Sequence, residues 1–161
     1  MIPESLKTLV INKPLYLHEK TCLKFRYTLT HLCMSDTKLR NVPEFLFSSL
    51  PNLSWLDLRT NRLKSIPFCV KDHHKLTTLL LDENIFDSLP PYLALVHSLA
   101  NVTFRDNIIS FPNEEVLNRG WPGIKKYLLQ SMEEARKKEK QLARKFRYHH
   151  GVQNCILCIE Y

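Results

Sequence analysis

Hydrophobic residues return along this chain at a fixed interval. Leu53, Leu56, Leu58, Leu63 and Ile66 form one segment that ends at Pro67, and Leu76, Leu79, Leu81, Phe86 and Leu89, ending at Pro90, repeat it 23 residues later. A third copy begins another 23 residues on with Leu99, Val102 and Phe104, and reaches Ile108, Phe111 and Pro112 if one residue is deleted. Upstream, Leu29, Leu32, Met34, Leu39, Val42 and Pro43 fit the same spacing, 24 residues before Leu53, and Leu6, Leu9 and Ile11 begin a weaker copy. Within each copy the step L-x-L has period two, which predicts a short strand with one buried face. No copy can bury its leucines alone, so the copies must stack, each adding a strand to a parallel sheet at a spacing of about 4.8 Å. Asn61, Asn84 and Asn107 follow the strands, where the chain turns inward. A side-chain amide there offers donors and acceptors to backbone groups that the turn leaves unpaired. The three asparagines are expected to form a ladder, with Thr37 filling the same place in the earlier copy less well. The prolines suit the return path, since a fixed φ and a missing N–H exclude them from a central strand.

Written as L-x-x-L-x-L-x-x-N-x-L-x-x-L-P, the template resembles the leucine-rich repeat, over residues 29–129 and more loosely over 6–28. The resemblance implies an α/β solenoid: a curved parallel sheet of about five repeats with a C-terminal helical cap and a projecting basic helix. Residues 1–28 are expected to be a degenerate first repeat serving as the N-terminal cap, with Pro14 at the asparagine position and His18, Glu19 and Lys20 breaking the apolar pattern. Residues 29–112 hold the repeats, 113–130 the C-terminal cap, and 131–161 a basic helical tail with an irregular end. In the cap, Glu114 and Glu115 suit a helix start, Gly120 a helix stop, and Pro122 the first position of the next helix. Ile124, Tyr127 and Leu128, spaced i, i+3, i+4, are placed to cover the core of the last repeat. Val116, Gly120, Ile124, Tyr127 and Leu128 together resemble the closing pattern of many intracellular leucine-rich repeat proteins.

Charge changes the picture at one end only. The 161 residues carry a net charge of +7. Residues 1–120 contribute +2 and residues 121–150 contribute +6, so any affinity for an acidic partner belongs to the C-terminal segment. The three glycines stand at positions 120, 123 and 151. A phosphate-cradling loop needs several glycines in one turn, which excludes a P-loop and a dinucleotide fingerprint. Met1–Val10 lacks the apolar run of a signal peptide, and no stretch reaches membrane length. The five cysteines, Cys22, Cys33, Cys69, Cys155 and Cys158, therefore read as free thiols in a reducing, cytoplasmic setting. In that setting the sequons Asn52-Leu53-Ser54 and Asn101-Val102-Thr103 carry no glycan, and both overlap strand starts.

Candidate chemistry is sparse. Cys155 and Cys158, with His149 and His150 upstream, have the spacing of one zinc knuckle, but the second ligand pair is missing and no metal is assigned. His73 and His74 fall between repeats, read as surface histidines, and take no ligand role. No nucleophile–base arrangement or carboxylate pair stands out, so neither an enzyme nor a cofactor is expected.

The outward strand positions fall into rows: His31, Trp55, Thr78 and Asn101; Cys33, Asp57, Leu80 and Thr103; Ser35, Arg59, Asp82 and Arg105. Trp and Arg dominate binding hot spots, and Trp55 beside an exposed Leu80 would be a costly surface without a partner. His31, Trp55, Asp57, Arg59, Thr78, Leu80, Asp82, Thr103 and Arg105 are therefore the candidate contacts of a concave protein-binding face. The competing reading is self-satisfaction, with Arg59, Asp82 and Arg105 alternating in sign and pairing with one another. The basic helix is open to two readings as well. It is either solvated, with Glu133–Lys137 and Glu134–Lys138 pairs, or a binder of an acidic partner (nucleic acid, anionic membrane or calmodulin) anchored by Leu129 and Leu142, or by Met132 and Phe146. Aromatics are not interleaved with its basic residues, which argues against nucleic acid. The expectation is a monomeric, non-catalytic adaptor that recognises a protein partner, with Trp55 as the central anchor.

Overall fold

A computed structural model describes residues 6–11 and 18–149. Five strands of three residues each, β1 (Thr8–Val10), β2 (His31–Cys33), β3 (Trp55–Asp57), β4 (Thr78–Leu80) and β5 (Asn101–Thr103), form one parallel sheet in chain order. The register aligns Leu9, Leu32, Leu56, Leu79 and Val102 as one inward row. Beyond the strands the same ladder continues, with Met34 N–H donating to Asp57 O (2.8 Å), Leu58 to Leu80 (2.9 Å) and Leu81 to Thr103 (2.8 Å). The return path passes through α1 (Glu19–Lys24), α2 (Phe45–Ser49) and two 3-10 turns, Phe68–Asp72 and Pro91–Leu95. Leu32, Leu56, Leu58, Leu79, Leu81, Phe86 and Leu89 are completely buried in one continuous core. Burial on this scale, at ~25 cal/mol per Å² of apolar surface, is what a stack of individually unstable repeats requires.

The third copy needs no deletion. Asn107 takes the ladder position, so Ile109 packs against the core where Phe86 does in the preceding repeat, and buried Pro112 stands where Leu89 does. Ile108 and Phe111 point outward, 72% and 37% exposed. The expectation had them inward because an Ile-Ile pair satisfies either frame, and only the register of Asn107 decides between them.

The ladder is built as expected. Asn84 Nδ2 donates to the carbonyls of Leu58 and Leu81 (both 3.0 Å) and Asp82 (3.2 Å), while its Oδ1 accepts from Leu63 N–H (3.0 Å). Asn107 repeats this with Leu81, Phe104, Arg105 and Phe86, and Asn61 with Met34, Leu58, Arg59 and Leu39. Each asparagine thus ties its own turn to the preceding repeat. Thr37, with one hydroxyl proton, faces the Met34 carbonyl (2.9 Å) and Asn61 Oδ1 (3.1 Å). It makes no bond to the repeat before it among the described residues.

The residue ahead of each of these four positions is left-handed: Asp36, Thr60, Glu83 and Asp106 have φ between 52° and 56°. None is glycine, and for the β-branched Thr60 this conformation is the most costly.

His73 departs from its expected place. It is 5% exposed, its Nε2 donates to Leu50 O (3.0 Å), and its Nδ1 accepts from Leu76 N–H (3.1 Å). The ring closes the Phe68–Asp72 turn onto the neighbouring repeat, so it is a structural histidine and His74 alone is exposed.

At the C-terminal end, α3 (Glu114–Leu117) is capped by Asn113, whose side chain accepts from Val116 N–H at 3.2 Å. Gly120 turns the chain with φ +68° into α4 (Gly120–His149), so Pro122 lies within the first turn of that helix rather than at its first residue. The end of an array leaves carbonyls between the Pro91–Leu95 turn and β5 with no next repeat to serve them. Trp121 Nε1 donates to Leu99 O (3.0 Å), and Lys125 Nζ reaches Val96 O (2.8 Å), His97 O and Leu99 O (both 3.3 Å). Burial pushes the Lys125 ammonium below its usual pKa. Ile124 and Leu128 are completely buried.

The described residues fall into two compact units, divided between Leu129 and Gln130. In the second unit, residues 133–144 are exposed helix. The expected Glu133–Lys137 and Glu134–Lys138 pairs are not closed; the ion pairs among the described residues are Asp57–Arg59 and Glu115–Arg119. Solvated side chains on an open helix gain little from such pairing.

Candidate functional site

The strand register sets the outward rows. His31, Trp55, Thr78 and Asn101 are aligned partners, as are Cys33, Asp57, Leu80 and Thr103. Ser35, Arg59, Asp82 and Arg105 lie one alternation further, where Thr60 N–H donates to Asp82 O (3.0 Å) and Glu83 N–H to Arg105 O (2.8 Å). Neighbouring side chains in a row therefore stand one strand apart, and the short strands hold them on rigid backbone.

Trp55 is half-buried in the middle of the first row, its ring 6.0 Å from that of His31 and tilted by 34°. The His31 ring is held by a 2.8 Å hydrogen bond between Nδ1 and Thr30 Oγ1. Thr78 beside it and Leu80 in the next row are half-buried, while Asn101 is exposed. Together they make an amphipathic patch, with an indole flanked by an imidazole on one side and a hydroxyl and an aliphatic chain on the other.

Two of the nine candidate residues act differently from the sequence expectation. Asp57 is 1% exposed and unavailable as a direct contact. Its Oδ1 accepts from Arg59 N–H and Nε (both 3.0 Å), and its Oδ2 from Arg59 Nη2 (2.7 Å) and the Cys33 thiol (3.7 Å). Burial by itself would raise the Asp57 carboxyl, but the hydrogen bonds and charge of Arg59, with the Cys33 thiol, outweigh it and hold its pKa below the usual carboxylate value. Arg59 is therefore committed to its own strand, with its side chain 46% exposed. The expected alternation of Arg59, Asp82 and Arg105 forms no ion pairs among the described residues. Asp82 instead accepts from Thr103 Oγ1 and Arg105 N–H, both at 2.7 Å. The exposed Arg105 guanidinium has no ion-pair partner among the described residues.

A short D-x-R segment at the end of a strand was the available signal for the Asp57–Arg59 pair, because i and i+2 share one face. Among the described residues no group of three or more His, Cys, Asp or Glu is placed to hold a metal ion. The Cys155–Cys158 knuckle lies outside the described residues. No described helix is long and apolar enough to cross a membrane.

Comparison with known proteins agrees with the architecture. The family model "Leucine rich repeat" matches residues 28–110. Human leucine-rich repeat and IQ domain-containing protein 4 is 30% identical over 85 residues, covering 53% of this chain and 15% of that protein. The rat volume-regulated anion channel subunit LRRC8D is 29% identical over 107 residues, covering 65% of this chain and 12% of that protein. Among solved structures, the Leptospira interrogans LRR protein LIC12759 superposes with a TM-score of 0.58 at 26% identity, over 65% of this chain and 26% of that one. The chain thus spans a small part of the length of each. Repeats of this kind are in general protein–protein interaction modules, and the matches indicate no catalytic family. A family match across half the chain, together with five parallel strands stacked in one register, establishes that this chain belongs to the leucine-rich repeat family.

Proposed function

We propose that the chain is a non-catalytic adaptor that recognises a protein partner on the concave, strand-bearing face, with Trp55 as the anchor. The observation that carries this reading is the position of Trp55: half-buried at the centre of a row, between His31 and Thr78, on backbone fixed by strands on both sides. A rigid aromatic at the centre of a patch loses little entropy on binding and contributes most where it is fully desolvated. Thr78, Leu80, Thr103 and Arg105 complete the contact surface, with Asp82 and Arg59 at its polar rim. The array is the scaffold, the helix beyond Gln130 is solvated, and the chain acts as a monomer in the cytoplasm. Within the family, Leu50–Lys64 and Lys75–Asn84 resemble leucine-rich repeat-containing protein 27.

The test is affinity capture from lysate with four baits, each checked for folding by circular dichroism: wild type, Trp55→Ala, Arg105→Ala, and a truncation after Gln130. Loss of a specific prey with Trp55→Ala and its retention by the truncation support the face. Loss with the truncation alone, together with a steep fall in binding as salt rises, transfers the function to the basic helix.

A further inference from the structure

Just past the asparagine ladder, the array carries a second surface that the strand face does not use. Arg40, Arg62 and Lys64, with Asn41 and Ile85, line an open depression of about 430 Å³. The three cations come from two adjacent repeats, and all are exposed. None has a carboxylate within ion-pair distance among the described residues. Their backbones are not free to move apart: Arg62 N–H donates to Leu39 O (2.8 Å), and Asn61 Oδ1 and Asn84 Oδ1 accept from Leu39 and Leu63 N–H on either side of it. Like charges held close together repel, so three of them fixed around one hollow with no acid between them is a cost to the fold. An anion seated there would remove that cost, and guanidinium groups match the oxygens of phosphate in bidentate geometry.

The extent of the patch defines the ligand. One repeat on, Asp87 stands in the column of Lys64, and Ile85 in that of Arg62. The positive surface thus ends after two repeats, too short for a nucleic acid strand and without aromatics to stack bases. Ile85, 40% exposed, gives the hollow an apolar wall that a bare inorganic ion would not use. We propose that this depression binds the phosphate of a phosphorylated serine or threonine in a protein partner, with Arg40 and Arg62 gripping the dianion, Lys64 adding charge, and Ile85 packing against the adjoining peptide.

Nuclear magnetic resonance titration reads this site directly, through the Arg40 and Arg62 Nε–H signals and the Ile85 methyls of the full chain. The probes are a short alanine–glycine peptide with one central phosphoserine, its unphosphorylated form, inorganic phosphate, a single-stranded oligonucleotide, and vesicles containing phosphatidylserine. The expected result is saturable movement of all three residues with the phosphopeptide and none with the unphosphorylated form. Binding should weaken at least about tenfold in Arg62→Gln, since a charge-assisted pair is lost, and remain unchanged in Lys126→Gln, which removes an exposed cation elsewhere. Absence of saturation, or an Arg62→Gln variant that binds as well as wild type, overturns the proposal. So does inorganic phosphate, the oligonucleotide or the vesicles binding as tightly as the phosphopeptide.

Discussion

Arg59 grips the buried carboxylate of Asp57, two residues before it, from both sides: Nη2 lies 2.7 Å from Oδ2, and Nε lies 3.0 Å from Oδ1. An arginine that looks like part of an interaction surface is therefore also a structural partner. Arg59→Ala leaves Asp57 buried with its charge poorly met, and should lower the unfolding free energy by about 1–3 kcal/mol. Adding Asp57→Asn should recover part of that loss. Urea unfolding of the two single variants and the double variant measures the coupling; additive losses would mean that the pair does not act as a unit.

His73 carries a pH prediction. Burial lowers its pKa below 6.5, and this outweighs its hydrogen bond to Leu50, while His74 lowers it further. The unfolded chain then binds the proton more readily than the folded one, so stability is complete above pH ~6.5 and falls as the pH drops through and below that value. The slope should approach, but not exceed, about 1.4 kcal/mol per pH unit for this one group. His73→Gln should be less stable at neutral pH and should flatten the pH 5–7 segment of the curve. An unchanged slope in the variant would assign the acid sensitivity elsewhere.

Asn84 makes four backbone hydrogen bonds from a site 6% exposed. Asn84→Ala strands those partners and should cost about 2–4 kcal/mol. Thr37→Asn, by contrast, supplies the amide that the earlier copy lacks and should be neutral or stabilising. Thermal melts of both separate the two directions, and a harmless Asn84→Ala would refute the ladder as a source of stability.

At Thr60, φ is +56°. Among the described residues its hydroxyl bonds only the exposed Glu83 carboxylate, at 3.0 Å. Thr60→Asn relieves a β-branched residue from the left-handed region and should stabilise by about 0.5–1 kcal/mol, raising Tm by roughly 2–4 °C. A lower Tm would mean that the Glu83 contact outweighs the backbone strain.

Gly123 lies in the corner where α4 begins. A Cβ there would stand 2.5 Å from Arg119 Cβ, an atom held close to the backbone. Gly123→Ala should therefore destabilise by about 1–3 kcal/mol, despite the better helix propensity of alanine. The near-ultraviolet signal of Trp121 reports whether the cap is displaced.

The inward rows were legible because a strand's period of two and a repeat of 23 residues place Leu56, Leu79 and Val102 without ambiguity. The outward rows followed from the same arithmetic. Roles within those rows were not legible. Asp57 and Asp82 occupy similar outward positions, yet one is buried against Arg59 and the other accepts from Thr103 and Arg105 of the next repeat. That difference depends on side-chain reach, which periodicity does not encode. His73 was misread because its histidine pair falls between repeats, where exposure is the default. Its ring is instead drawn in by the Leu76 N–H three residues on and by the Leu50 carbonyl, 23 residues back on the neighbouring repeat. The capping roles of Trp121 and Lys125 have no template in the repeat, since they answer carbonyls left over where the repeat stops.

Each ladder asparagine serves the repeat made before it, so synthesis and completion run out of step. On the ribosome, the turn that ends at Leu63 waits for Asn84, and the turn at Phe86 waits for Asn107. At about 5–20 residues per second, one repeat of delay lasts on the order of seconds. During that interval the newest repeat has unserved backbone groups and an open sheet edge, and the hazard moves along the chain with every repeat added. Trp121 and Lys125 emerge later still, and the carbonyls of Val96 and Leu99 ahead of the last strand wait for them in turn.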